Sequence, residues 1–228
     1  MSGGGLRRVS FGLLAAVVVA LLSAGVVAAG NPGKEKIALT KAGNKHAKAE
    51  VLHRADVGAG WKGGFKKPTL SSAMPCSNYR PKQSDLGLSG AAESVWQKPL
   101  FVIDNEAQVL KTVAMVRRDW RRTLVAPQVL PCLRDGFSAS LGSTGKLISF
   151  GRVTFPHIAP ETRAFRAVAK VKTSAGPLML DVDFVVLGLR RNELTLEFTA
   201  PKAARGSVKR IETRWARLLA SRAAHSGG

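Results

Sequence analysis

From residue 178 to 186 every even position is apolar (Leu178, Leu180, Val182, Phe184, Val186), while Asp181 and Asp183 share the opposite face. A period of two marks a β-strand. The stretches 147–155, 162–173 and 193–199 are likewise β-branched or alternating. In the last, Leu194, Leu196 and Phe198 face one way and Glu193, Thr195 and Glu197 the other. Short turns at 174–177 and 188–192 join these stretches into an antiparallel meander with one buried face and one wet face. Elsewhere the period is helical. Residues 34–55 carry Ile37, Ala47, Val51 and Leu52 near one face, with Gly43-Asn44 weakening the middle. A strand at 93–103 has Pro99 near an edge position. Asp104 or Asn105 then caps a helix striped by Ala107, Leu110, Val113-Ala114, Trp120 and Leu124, which Pro127 and Pro131 end. Ser207 caps a closing helix whose stripe is Val208, Ile211, Trp215, Leu218 and Leu219. Residues 62–92, punctuated by Gly63-Gly64, Pro68, Pro75, Pro81 and Gly87, read as a long loop. The pattern predicts one α+β domain: an antiparallel sheet of about five strands with helices packed on one face.

The N-terminal pattern is of another kind. Arg7 and Arg8 precede an unbroken apolar run at 11–29, FGLLAAVVVALLSAGVVAA. A positive start, an apolar segment and the small-residue exit Val27-Ala28-Ala29 are the signature of export. The run is long enough to span a bilayer as well. Two readings follow: residues 1–29 are a signal peptide cut after Ala29, or they anchor an outward-facing domain. Either way residues 30–228, with a core at about 34–222, form the exported part. Its place is outside the cytoplasmic membrane, secreted or tethered on the outer face.

Export changes the meaning of the two cysteines. In an oxidising compartment an isolated pair such as Cys76 and Cys132 most often forms one disulfide. Such a bridge is worth about 4 kcal/mol in the chain-entropy picture. It would hold the long loop to the end of the Trp120 helix. Two independent thiols are the alternative. Neither cysteine has a second Cys or a His at ligand spacing, so no metal is expected.

Charge narrows the partners. The formal net charge is +20; loss of Arg7 and Arg8 with a leader still leaves +18. Such a charge attracts anionic surfaces, so an anionic lipid or a cell-wall component is the expected partner. The closing helix concentrates it in Lys209, Arg210, Arg214 and Arg217. No zinc-finger spacing or aromatic-rich ribonucleoprotein strand is present, so no specific nucleic acid is expected. Scattered basic residues also make an ordinary solvated surface.

Catalytic patterns are weak. Asp181 and Asp183 place two carboxylates on one strand face, which suits a divalent cation or an acid–base pair. It equally suits ion pairing with neighbouring Arg and Lys. His46 and His53 are seven residues apart, about 10 Å along a helix, too far for one metal. His157 and His225 are isolated. There is no nucleophile elbow or phosphate loop, and Ser71-Ser72 have no activating neighbour in sequence. Of Trp61, Trp96, Trp120 and Trp215 most are expected in the core, Trp61 as an anchor into it; one or two, Trp61 first and then Trp96, are also the aromatic candidates for a ligand cleft with Asp181 and Asp183.

Several of these residues form a familiar layout. It runs from Ala55-Asp56-Val57-Gly58-Ala59-Gly60-Trp61 through Cys76 with Tyr79 and Pro81. Ser84-Asp85-Leu86, Gly90 and Ser94 follow, then the Trp120 helix ending in Pro131-Cys132, the meander and the closing helix. This resembles the secreted or membrane-anchored sensor-type domains of actinobacteria. Those are similar in layout to the extracellular sensor domain of certain receptor serine/threonine kinases. The resemblance covers about residues 34–222. It implies an α+β fold with a cleft between sheet and helices, and assigns no residue a chemical role. The expected function is therefore a non-catalytic, extracytoplasmic, sensor-like binding protein with a basic surface and no cofactor. An envelope hydrolase, with Asp181, Asp183 and a histidine in one pocket, is the first alternative. A structural protein that binds the wall or membrane surface through the closing helix is the second.

Overall fold

The computed structural model describes residues 35–68, 70 and 79–226. The apolar run at 11–29, Ser71, Ser72 and Cys76 lie outside the described residues. Among the described residues eight strands form one sheet: β1 (Lys36–Ile37), β2 (Lys62–Lys66), β3 (Gly87–Lys98), β4 (Phe101–Leu110), β5 (Gly145–Arg152), β6 (Glu161–Thr173), β7 (Gly176–Leu189) and β8 (Asn192–Pro201). Their order is β1-β3-β4-β8-β7-β6-β5, with β2 also on β3. All pairs are antiparallel except β1 with β3, at Lys36↔Gly87 and Ile37↔Leu88. The sheet is thus mixed, and larger than the alternation alone predicts. The difference comes from β1 and β2, too short to read as strands, and from β4.

Five α-helices among the described residues cover the sheet: α1 (Lys41–Glu50), α2 (Arg54–Val57), α3 (Val113–Trp120), α4 (Val129–Leu141) and α5 (Arg205–His225). They pack on both faces, not one. On the first face α1, α2 and α5 bury Ala92 and Trp96 of β3, Ile103 and Ala107 of β4, Leu194, Leu196 and Phe198 of β8, and Val185 and Leu187 of β7. On the second face α3 and α4 bury Phe165, Ala167 and Ala169 of β6 with Leu180, Val182 and Phe184 of β7. Both faces of β7 are therefore dry, and its Asp-bearing face is not the wet one the alternation suggests.

The helix expected from Asp104 is the main correction. Phe101–Leu110 is a strand, turned back on β3 after Pro99-Leu100, with Trp96 opposite Ile103 and Ser94 opposite Asn105. Ile103, Asn105, Ala107 and Val109 are buried on one face, while Asp104, Glu106 and Gln108 alternate with them. The same apolar residues satisfy a helical spacing, and cross-strand pairing decides between the two. The helix begins after Thr112, whose Oγ1 accepts the Met115 N–H at 3.2 Å. It passes through a π-helical turn at Arg121–Val125. Pro131 does not end a helix; it sits in the first turn of α4, where the proline's missing N–H costs nothing. Ser207 is not the cap of α5 either, because the helix starts at Arg205 and Ser207 Oγ donates back to the Ala204 carbonyl at 2.8 Å.

Candidate functional site

The first face of the sheet carries a polar pocket where β6 and β7 run beneath the N-terminal half of α5. The cavity is about 310 Å³, walled by Val153–Phe155 and lined by Arg166, Asp183, Arg205, Lys209 and Glu212. The register places Arg166 directly opposite Asp183. Its guanidinium forks onto that carboxylate, Nε toward Oδ1 and Nη2 toward Oδ2 at 2.5 Å. Asp181, one pleat along, lies 3.9 Å from Arg166 Nε and 3.7 Å from Arg205 Nε. Asp181 is 4% exposed and neither of its carboxylate oxygens has a hydrogen-bond partner among the described residues.

Glu212 completes the pocket from above. It occupies the buried stripe of α5 between Val208 and Trp215 and is 3% exposed. Its Oε1 has no hydrogen-bond partner among the described residues. Burial, with Asp183 adding to it, pushes the Glu212 carboxyl up to about 8, against the pull of Arg166 and Lys209. At neutral pH Glu212 is thus a neutral acid that can donate a proton in a hydrogen bond. Burial also raises the Asp181 carboxyl, opposed by Arg166 and Arg205. With Glu212 neutral, three cations face two carboxylates, and the pocket has a positive surplus.

The expected site residues divide. Asp183 and Lys209 line the pocket, with Asp181 beside it. Arg210, Arg214 and Arg217 are exposed on α5 and do not line this pocket, and Arg214 lies over the Trp215 ring at 5.8 Å. Trp61 and Trp96 do not wall this cleft. Trp61 is 5% exposed and packs edge-on against Phe198 and Trp215. Trp96 is 3% exposed, and its Nε1 donates to the Leu52 carbonyl and Ser94 Oγ, each at 3.2 Å. Both are core residues, buried as α1, α2 and α5 close on the sheet. Arg166 and Glu212 are pocket residues that the sequence patterns do not single out. Arg166 has no local signal, since only the register brings it to Asp183. Glu212 did have one: a carboxylate on an apolar helical stripe.

Other expected residues have structural partners. His46 Nε2 lies 2.9 Å from Glu50 Oε1, and His53 Nε2 lies 2.9 Å from the Lys48 carbonyl. Asp56 accepts two bonds from Arg222, and Asp85 accepts from Arg118 and Arg122. Cys132 lies on α4, and no described cysteine is free; a bridge to Cys76 involves a residue outside the described ones. Among the described residues no group of three or more His, Cys, Asp or Glu is arranged to hold a metal ion. Among the same residues no helix is long and apolar enough to cross a membrane.

The second face bears a carboxyl-rich area where β3, β4 and β8 lie side by side. Glu93 is opposite Glu106, and Asp104 is opposite Glu197. Lys66 Nζ pairs with Glu93 at 2.8 Å, and Gln108 Nε2 donates to Glu106 at 2.9 Å. Burial first, then the Glu93 charge, pushes Asp104 up to about 8. Burial pushes Glu106 up to about 7 and raises Glu193 and Glu197 well above the usual range. Like charges packed this closely hold protons rather than ionise together.

No family model matches the chain, and no curated protein matches it in sequence. Among solved structures it is similar to the extracellular domain of PknH from Mycobacterium tuberculosis, at 7% identity and a TM-score of 0.43, covering 75% of this chain and 94% of that one. It is also similar to an uncharacterized protein from Mycobacterium smegmatis, at 10% identity and a TM-score of 0.42, covering 79% and 97%. The likeness is a distant one of fold.

Proposed function

We propose that the chain is a non-catalytic, extracytoplasmic binding domain that takes an oxyanion of an envelope molecule, a lipid phosphate or a wall-polymer acid group, into the pocket under α5. The observation that carries this reading is Glu212, buried, unpartnered at Oε1 and set among Arg166, Arg205 and Lys209. A buried polar group without a partner is costly, and a ligand that supplies the missing bond recovers that cost. A neutral carboxyl and a cationic rim both suit an anionic acceptor. The apolar run at 11–29 and the positive charge of the rest support a place at the envelope.

A hydrolase reading asks for a histidine beside the carboxylates. No described lining residue of this pocket is a histidine, and Asp183 is engaged by Arg166. The binding reading is the better supported.

The test uses protein purified in the form its host leaves it. Binding to phosphatidylglycerol vesicles and to soluble anionic wall polymers is measured at low and high salt. Salt-sensitive binding to either, weakened by Arg205→Ala with Lys209→Ala, is expected. Absence of binding to both at low salt overturns the proposal.

A further inference from the structure

A second cavity, about 620 Å³, lies along the C-terminal half of α5 and differs in chemistry from the first. Its walls include Ile158, Leu189, Ala220 and Ala224, and it is bordered by Arg190 and Arg217. Leu189 and Ala220 are buried, whereas both arginines are exposed. Apolar walls therefore meet solvent at two guanidinium groups.

Arg190 is held there at a cost. Leu189 pairs with Asn192, so Arg190 and Arg191 are the two turn residues of the β7–β8 hairpin. Such turns favour Asn-Gly or glycine, because the backbone enters the left-handed region. Arg190 has φ of +53°, a conformation unfavourable for a residue with a Cβ. The turn is fixed from the other side, as the Arg191 carbonyl accepts the Leu110 N–H at 2.8 Å. Leu100 in the tight β3–β4 turn has φ of +66° as well, so the positive φ belongs to the turn; what sets Arg190 apart is that it is a cation bordering an apolar cavity.

We infer that this cavity binds an amphiphile with a single acyl chain and an anionic head, the chain against Ile158, Leu189, Ala220 and Ala224 and the head between Arg190 and Arg217. Charge complementarity selects this occupant. A free inorganic oxyanion leaves the apolar walls unused, and a neutral hydrocarbon leaves both arginines unused. Arginine suits carboxylate and phosphate heads equally, through its planar fork. The inference stands on residues separate from the polar pocket and does not depend on it.

The test is displacement of the fluorescent probe dansyl-undecanoate from the protein in the form its host leaves it. Myristate represents the carboxylate head, and monomyristoyl lysophosphatidate the phosphate head. Both are expected to displace the probe, and myristyl alcohol to do so at least about 10-fold more weakly. Arg190→Gly combined with Arg217→Ala is expected to weaken myristate at least about 10-fold. Glycine relaxes the left-handed turn, so the thermal midpoint of this variant should not fall, which separates lost binding from lost folding. Equal affinity in the variant, equal affinity for the alcohol, no displacement by either acid, or association with anionic vesicles alone each overturns the inference.

Discussion

Gly43 on α1 and Gly90 on β3 meet backbone to backbone. A Cβ on Gly90 would stand 2.1 Å from the Gly43 carbonyl oxygen, and a Cβ on Gly43 would stand 2.0 Å from the Ser89 carbonyl oxygen. Asn44, the next residue, accepts the Ala91 N–H on its Oδ1 at 3.2 Å. The pair that weakens α1 as a helix is what lets α1 sit on the sheet. Gly43→Ala or Gly90→Ala is therefore expected to cost about 3 kcal/mol, lowering the thermal midpoint by roughly 6 to 12 °C. Gly151→Ala, where a Cβ meets nothing within 4 Å, is the control and should change little. Calorimetry of the three variants checks this.

The sequence makes β6, β7, β8 and α5 legible because each satisfies one period only. β4 is not legible, because Ala107 and Leu110 fit a helix while Ile103, Asn105, Ala107 and Val109 fit a strand. What decides is pairing with Ser94 and Trp96, a non-local fact. For the polar pocket, the shared face of Asp181 and Asp183 is readable. Its burial is not, because the cover comes from α5, some thirty residues on in the sequence. The carboxylates of β4 and β8 likewise look wet by alternation, yet Glu197 is 4% exposed.

Arg222 ties the far end of α5 to α2. Its Nη1 and Nη2 each donate to Asp56 at 2.8 Å, and Nη1 also donates to the Val51 carbonyl at 2.9 Å. Arg222→Ala strands a largely buried carboxylate and is expected to cost about 2–3 kcal/mol. Asp56→Ala combined with Arg222→Ala should cost less than the two single changes added together. Urea unfolding of the three variants measures the coupling.

Stability should fall toward alkaline pH. Burial raises Asp104 to about 8, Glu106 to about 7 and Glu212 to about 8. The folded chain thus holds protons that the unfolded chain has already released. Their contribution is complete below the ordinary carboxyl range and is lost as pH rises through about 7 to 8. Asp56 acts the other way. Burial alone would raise it, but bonds from Arg222 and the His53 N–H outweigh that and hold it low. Its contribution is present above the ordinary carboxyl range and lost in acid. The thermal midpoint is expected to be highest near about pH 5 and to drop by roughly 5 °C or more by about pH 9. Asp104→Asn should raise the midpoint at the alkaline end relative to the parent chain. A midpoint that climbs steadily into alkali contradicts this reading.

The basic residues of α5 should separate by position. All four are exposed, but Arg205 and Lys209 border the polar pocket whereas Arg210 and Arg214 do not line it. Arg205→Ala with Lys209→Ala is expected to weaken binding of anionic polymers about 10-fold or more. Arg210→Ala with Arg214→Ala should reduce it only a few-fold, in proportion to the charge lost. Equal losses from both pairs would favour the plain basic-surface reading. Direct binding assays at two salt concentrations compare them.

An oxyanion held in the pocket under α5 would show itself in an NMR titration with glycerol phosphate. Saturable, salt-sensitive shifts are expected at the amides of Arg166, Arg205, Lys209 and Glu212, weakening as pH rises past about 8 and Glu212 ionises beside Asp183, Arg166 and Lys209. No shift at these amides up to millimolar ligand, or shifts spread evenly over the exposed arginines of α5, would contradict it.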